Sequence, residues 1–146
     1  MATTTMHVSH GQGGVFDPGI AKMRLLAAAE QTGGGFALAE FKGREGAWTV
    51  PHVHREAAES FFVLEGGFTF TIGDETRRAG TGDYVLVPAG TKHVLGADAG
   101  GGTVLVLWVP GGLEKMFIEL AQLAPEAILD PAIRGEVASR HDSIPV

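Results

Sequence analysis

The chain has 146 residues, room for one compact domain with a core and too few for two ordinary ones. Hydrophobic residues make up 45% and charged residues 19%, which excludes bulk disorder, and the absence of cysteine excludes disulfides, thiolate metal sites and cysteine nucleophiles. With 17 Asp and Glu against 11 scattered Lys and Arg, the net charge of −6 offers no basic stripe to a phosphate backbone, so no nucleic-acid partner is expected.

The N-terminal stretch MATTTMHVSHGQGG lacks the basic start and apolar centre of a secretory signal, and no run approaches the ~20 apolar residues of a membrane span. A cytoplasmic protein with no membrane partner is therefore expected. Ile20–Gln31 carries conflicting signals: its Ala, Leu, Met, Lys and Glu favour helix, while Thr32-Gly33-Gly34-Gly35 and then Phe36–Phe41 suggest the turn and second arm of a hairpin.

From Gly46 to Val109 the sequence breaks into strand-length apolar pieces: Ala47–Val53, Ser60–Leu64, Phe68–Ile72, Tyr84–Val87, His93–Leu95 and Thr103–Val109. The joints, among them Glu65-Gly66-Gly67, Pro88-Ala89-Gly90 and Gly100-Gly101-Gly102, are read as turns, and Asp74-Glu75 beside Arg77-Arg78 as an exposed hairpin. Neither Gly33–Gly35 nor Gly100–Gly102 has the Lys-Ser/Thr or the strand–helix setting of a phosphate loop. Short strands at this spacing argue for an all-β sandwich or barrel. Beyond Pro110-Gly111-Gly112, the residues Leu113, Met116, Phe117, Leu120, Ala121 and Leu123 repeat at helical spacing up to Pro125. A second helix starts at Asp130 as N-cap, with Pro131 in its first turn.

His52 and His54 lie two apart, so on a strand both imidazoles leave the same face as a natural pair of metal ligands. Glu59 follows five residues after His54, which demands a bend in Arg55–Ala58 if it is to join them. His93 comes from another segment, just past the Pro88-Ala89-Gly90 turn. Three imidazoles and a carboxylate suit Fe(II), Mn, Co, Ni, Cu or Zn and suit Mg or Ca poorly. Glu56 competes with Glu59 for the carboxylate position.

Counting by twos brings Trp48, Phe61 and Val63 to the ligand-bearing face, either as the wall of an apolar cavity that binds substrate or as barrel filling. Phe68, Phe70 and Ile72 read as core; Tyr84 and Trp108 receive no role. His7, His10 and His141 lie near the termini without ligand spacing and are expected on a mobile surface.

At these residues the chain resembles the cupin superfamily, whose motifs read G-x5-H-x-H-x(3,4)-E-x6-G and G-x5-P-x-G-x2-H-x3-N. GAWTVPHVHREAAESFFVLEG supplies Gly46, His52, His54, Glu59 and Gly66; GDYVLVPAGTKHVLGA supplies Gly82, Pro88, Gly90 and His93, with Ala97 at the final Asn position. That Asn is not a ligand in the family. The resemblance implies an all-β double-stranded β-helix, or jelly-roll, barrel with short C-terminal helices. It implies one cupin domain over 1–146, with the motifs at 46–66 and 82–97 and a helical extension at about 112–140. It favours strand for residues 20–31 and selects Glu59 over Glu56, leaving Glu56 on the surface.

The PGGLEKMFIELAQLAP tail is similar to small single-domain cupins related to quercetin dioxygenase-like proteins. This implies a metal-dependent dioxygenase acting on a small aromatic or enolisable substrate. One divalent transition metal per chain, Fe(II), Mn, Ni or Co with Zn as an alternative, would sit on His52, His54, Glu59 and His93. Glu59 would also serve as the catalytic proton acceptor. The same ligands in other cupins leave open a non-redox cyclase, isomerase or lyase, or a non-catalytic small-ligand binder. Homodimerisation is expected by the same resemblance.

Overall fold

The computed structural model describes residues 4–146; the first three residues of the N-terminal stretch read above for a signal lie outside them. Two long antiparallel strands form its spine, β6 (Ala58–Ile72) and β9 (His93–Val109), paired from Ala58↔Val109 to Ile72↔His93. On one half of this spine β9 pairs with β3 (Ala37–Gly43), which continues to β2 (Ala21–Ala27) and β1 (Gly14–Phe16), while β6 pairs with β8 (Tyr84–Val87). On the other half β9 pairs with β4 (Gly46–Ala47) and β5 (His52–Val53), and β6 pairs with β7 (Glu75–Gly80). The two halves fold over one core as a jelly roll, and the hydrogen-bonded path ends at β1 and at β10 (Ile144–Pro145) without closing on itself.

The glycine joints at 65–67 and 100–102 are therefore bends inside continuous strands rather than the expected turns. The reason is close backbone approach. Gly66 has φ +77°, and a Cβ there would stand 2.3 Å from the Gly101 carbonyl oxygen; one on Gly102 would stand 2.7 Å from the Phe68 ring. With register shifts flanking Gly66, the paired strands turn the corner together and carry their hydrogen bonds with them.

Ala47–Val53, expected as one strand, is broken. Pro51 has no N–H to give, and the Leu95 N–H donates to the Thr49 hydroxyl oxygen at 3.0 Å in place of a ladder bond. Ala21–Ala27 is a strand despite its helix-forming composition. It lies between two partner strands and buries Ala21, Met23 and Ala27, so pairing outweighs a propensity difference of about 0.5 kcal/mol per residue. The core is filled from both halves by Met23, Phe41, Phe61, Phe68, Phe70 and Trp108.

Helices α1 (Glu114–Ala121) and α2 (Pro131–Ser139) follow the last long strand. Asp130 caps α2, its Oδ1 accepting from the N–H of Ala132 at 2.9 Å and Ile133 at 3.4 Å, and Pro131 occupies the first turn. Met116 and Leu120 of α1 pack on Val137 of α2, while the Phe117 ring stacks on Trp108 at 5.7 Å. The chain then returns as β10 beside β5, pairing Ile144↔Val53 and Pro145↔His52. Among the described residues no helix is long and apolar enough to cross a membrane.

Candidate metal centre

Strand pairing sets the imidazoles side by side. His52 lies opposite His93 across β5 and β9, with ring centroids 4.2 Å apart. His54, two residues on, returns to the same side, 4.7 Å from His52 and 5.0 Å from His93. Between His54 and Glu59 the chain leaves the strand, as the odd spacing requires, and the Asp142 carboxylate holds the detour. Its Oδ1 accepts from the Arg55 N–H at 2.7 Å, and its Oδ2 from the N–H of Glu56 at 3.0 Å and Ala57 at 3.2 Å. Glu59 then enters on β6 facing the same interior, while Glu56 is exposed.

Each imidazole is tied through Nδ1 to a backbone carbonyl: His52 to Val50 at 2.8 Å, His54 to Asp142 at 2.8 Å and His93 to Thr91 at 2.9 Å. A carbonyl oxygen only accepts, so each Nδ1 carries the hydrogen and each Nε2 is left as the inward-facing ligand atom. The Nε2 atoms of His54 and His93 lie 3.3 and 3.0 Å from Glu59 Oε1. Glu59 Oε2 accepts from the Trp108 indole N–H at 2.6 Å.

All four residues are buried, and their ligand atoms lie within 4.8 Å of one another, so they could hold a metal ion. Three imidazole nitrogens and a carboxylate converging away from water repel one another unless a cation, a proton or a metal, stands among them. With all three Nδ1 atoms fixed by carbonyls, the set fits a nitrogen-preferring transition metal.

The titration behaviour follows from the same contacts. Burial, with the neighbouring His93 charge, pushes His52 down to about 4. Burial also works downward on His54, but the hydrogen bond and charge of Glu59 outweigh it and raise His54 above its ordinary value. Burial alone would raise the Glu59 carboxyl; the hydrogen bonds and charges of His54 and His93 overcome it and hold Glu59 well below the usual carboxylate range. Without a metal, the cluster favours an ionised Glu59 and a protonated His54.

A cavity of about 510 Å³ opens onto His52, His54 and Glu59. Its walls are mainly apolar, with Phe41, Phe61 and Val106 from the strands, Trp48 from the stretch between β4 and β5, and Met116 and Phe117 from α1. Arg134 of α2 adds a half-buried guanidinium, its Nη1 donating to the carbonyls of Pro18 and Ile128.

Of the apolar residues placed on the ligand-bearing face, Trp48 and Phe61 line this cavity. Val63 does not: one strand position further in, it is fully buried in the core near the bend of β6. Phe68 and Phe70 are core, Ile72 packs half-buried against it, and Tyr84 is exposed. His7 and His10 are exposed, but His141 is not a free surface group: half-buried, it lies 3.2 Å from Glu119 Oε2. Trp108 and Asp142 went unassigned from sequence. The alternation Val104, Val106, Trp108 signals an inward Trp108, whereas no local pattern marks Asp142, which meets this site only through the fold.

A jelly roll with three histidines and a glutamate converging inside it defines the cupin class of fold and site. Residues 39–110 match the cupin domain family, and this segment of the chain is a cupin domain. The chain is 32% identical over 94 residues to quercetin 2,3-dioxygenase of Bacillus subtilis (strain 168), covering 64% of this chain and 28% of that protein. It is 29% identical over 89 residues to quercetin 2,3-dioxygenase of Aspergillus japonicus, covering 58% and 25%. The chain thus resembles quercetinase-like cupins, although it spans only about a quarter of the length of these relatives. Among solved structures, KdgF from Halomonas sp. superposes with a TM-score of 0.62 at 24% identity, over 74% of this chain and 94% of that one, a likeness of fold.

Proposed function

We propose that this cupin is a metal-dependent dioxygenase that opens a small aromatic or enolisable substrate. The observation that carries the proposal is an apolar cavity whose polar end is the buried His52, His54, Glu59 and His93 cluster, in a chain similar to quercetin 2,3-dioxygenases. His52, His54 and His93, with Glu59, would hold one Fe(II), Mn, Ni or Co ion. When bound, such an ion supplies Lewis acidity toward an enol or phenol oxygen and an open-shell partner for dioxygen.

The chain's own residues account for binding and proton transfer. Trp48 and Phe61 flank a planar apolar body and exclude water, and the Arg134 guanidinium favours an anionic substrate. Glu59 accepts the enol or phenol proton at Oε1. The Trp108 indole holds Oε2, so Oε1 stays the proton-accepting atom. Dioxygen enters as co-substrate, and both of its atoms finish in the product.

The functional unit in this reading is a homodimer. Phe62 and Leu64 of β6 and Tyr84 and Leu86 of β8 are exposed together on the outer sheet face, where Phe62 pairs directly with Tyr84.

The deciding experiment is metal content by elemental mass spectrometry on protein purified without chelator or histidine tag, followed by oxygen-electrode assays with flavonols, diketones and phenols. About one equivalent of metal and substrate-dependent oxygen uptake are expected. Turnover without oxygen uptake would replace the dioxygenase with a non-redox cyclase, isomerase or lyase at the same site.

A further inference from the structure

We infer that Asp142 is a positioning residue of the metal centre: it fixes the bend between His54 and Glu59, so that the C-terminal arm sets the geometry in which these two groups meet. The inference rests on the metal-centre reading above and adds to it a residue outside both cupin motifs.

Asp142 makes four contacts to one short segment. Three backbone N–H groups, of Arg55, Glu56 and Ala57, converge on its carboxylate at 2.7–3.2 Å, and its own carbonyl accepts the His54 Nδ1–H at 2.8 Å. The first set holds the loop whose course decides whether Glu59 reaches the interior. The last fixes the ring orientation and tautomer of a ligand. Asp142 also has φ +57°, the only positive value among the described residues other than glycine. A conformation that L residues rarely adopt persists where surrounding contacts over-determine it, and here those contacts all lead to the site.

The arm that carries Asp142 is itself anchored on both sides. Ser143 is buried, Ile144 and Pro145 pair with Val53 and His52, and upstream Arg140 and His141 both bond Glu119 of α1. The helices that wall the cavity and the carboxylate that shapes the centre are therefore one connected element. Displacing the arm removes the Nδ1 acceptor of His54 and the loop anchor at once.

The test uses the full chain and Co(II) as probe. Asp142→Gly suits the observed φ and deletes only the carboxylate; Asp142→Asn keeps one acceptor oxygen but turns an NH2 toward N–H donors. Asp130→Ala removes the cap of α2 as a stability control at a residue that neither contacts the four ligands nor lines the cavity. Asp142→Gly is expected to weaken Co(II) binding by about tenfold or more and to alter the Co(II) d–d absorption, with Asp142→Asn in between and Asp130→Ala at the wild-type value.

Wild-type affinity and spectrum in Asp142→Gly, or an equal loss of affinity in Asp130→Ala, would overturn the inference. A second readout needs no metal. At a pH above the raised His54 value, where the ring is neutral, the long-range 1H–15N spectrum of the metal-free wild type is expected to show His54 as a single Nδ1–H tautomer, and Asp142→Gly to show a mixture. If the wild type takes up no Co(II), the metal reading fails while this spectrum still decides the role of Asp142, and an unchanged His54 tautomer rejects it.

Discussion

Glu59 and Trp108 stand directly opposite each other across β6 and β9, and the Trp108 indole N–H donates to Glu59 Oε2 at 2.6 Å. An antiparallel register pair puts both side chains on one face, so the long strand pairing itself delivers the donor to the carboxylate. The indole commits one oxygen and leaves the other facing the imidazoles, which makes the two carboxylate oxygens inequivalent. Trp108→Phe keeps most of the ring packing and leaves Oε2 without its donor, at a cost of about 1–3 kcal/mol. We expect the base limb of the pH–kcat profile to move upward with metal content retained. An unmoved profile with lower stability alone would reduce Trp108 to a packing role.

His52→Ala and His93→Ala each remove one nitrogen from a converging set of three, and both variants should lose bound metal. Glu59→Gln keeps an oxygen but cannot take up a proton, so turnover should fall by 100-fold or more, the usual range for general-base catalysis, while most of the metal stays. Metal per chain and kcat, measured together on all three variants, check the division of roles. Full metal and full activity throughout would sink the assignment.

The metal-free protein should lose stability in acid through His52. Its folded value of about 4 lies below the ordinary 6.5, so the unfolded chain takes up a proton as the pH falls through 6.5 while the folded chain does not until about 4. His54 has the opposite sign: its raised value stabilises below 6.5, and that contribution is lost as the pH rises through the folded value. The depressed Glu59 carboxyl stabilises above its ordinary 4.5 and gives this up as the pH falls below it. Thermal unfolding of metal-free protein from pH 7 to 4 should show a shallower decline in His52→Ala than in wild type. Equal slopes would contradict the burial of a neutral His52.

Phe61 lines the cavity and packs edge-on against Phe70 at 4.9 Å, so it serves both substrate and core. Phe61→Ala should cost about 3–5 kcal/mol of stability and raise KM for aromatic substrates. Phe61→Leu, which fills more of the space, separates the effects: KM should remain raised while most of the stability returns. An unchanged KM in both variants would make Phe61 a packing residue.

The site was legible where it is carried by spacing. His52 and His54 share a face through strand periodicity alone, and the odd interval to Glu59 announced a bend. Asp130 and Pro131 marked the start of α2 for equally local reasons of capping and fixed φ. What escaped depends on partners distant in sequence. Gly66 and Gly101 look like turn residues, and only the close approach of two strand backbones makes them bends. Residues 21–27, favoured as strand only through the family resemblance, carry helix-forming side chains that pairing on both edges overrides. Asp142 is one carboxylate in a polar tail until the fold brings it to the N–H groups of Arg55–Ala57.

The outer sheet face supplies the last prediction. Leu86 and Tyr84 on β8 are 52% and 62% exposed, beside Phe62 at 42%, so several large apolar side chains meet water on one side of a regular sheet. Burying such a patch gains about 25 cal/mol per Å², and a charge placed at its centre loses that gain and adds an unpaired ion to the interface. Leu86→Glu leaves the interior untouched, because its neighbour Val87 carries the inward contact. Light scattering should therefore report twice the chain mass for wild type and the single-chain mass for Leu86→Glu, with bound metal unchanged. A monomeric wild type, or a Leu86→Glu dimer as tight as wild type, would remove this face as the dimer contact.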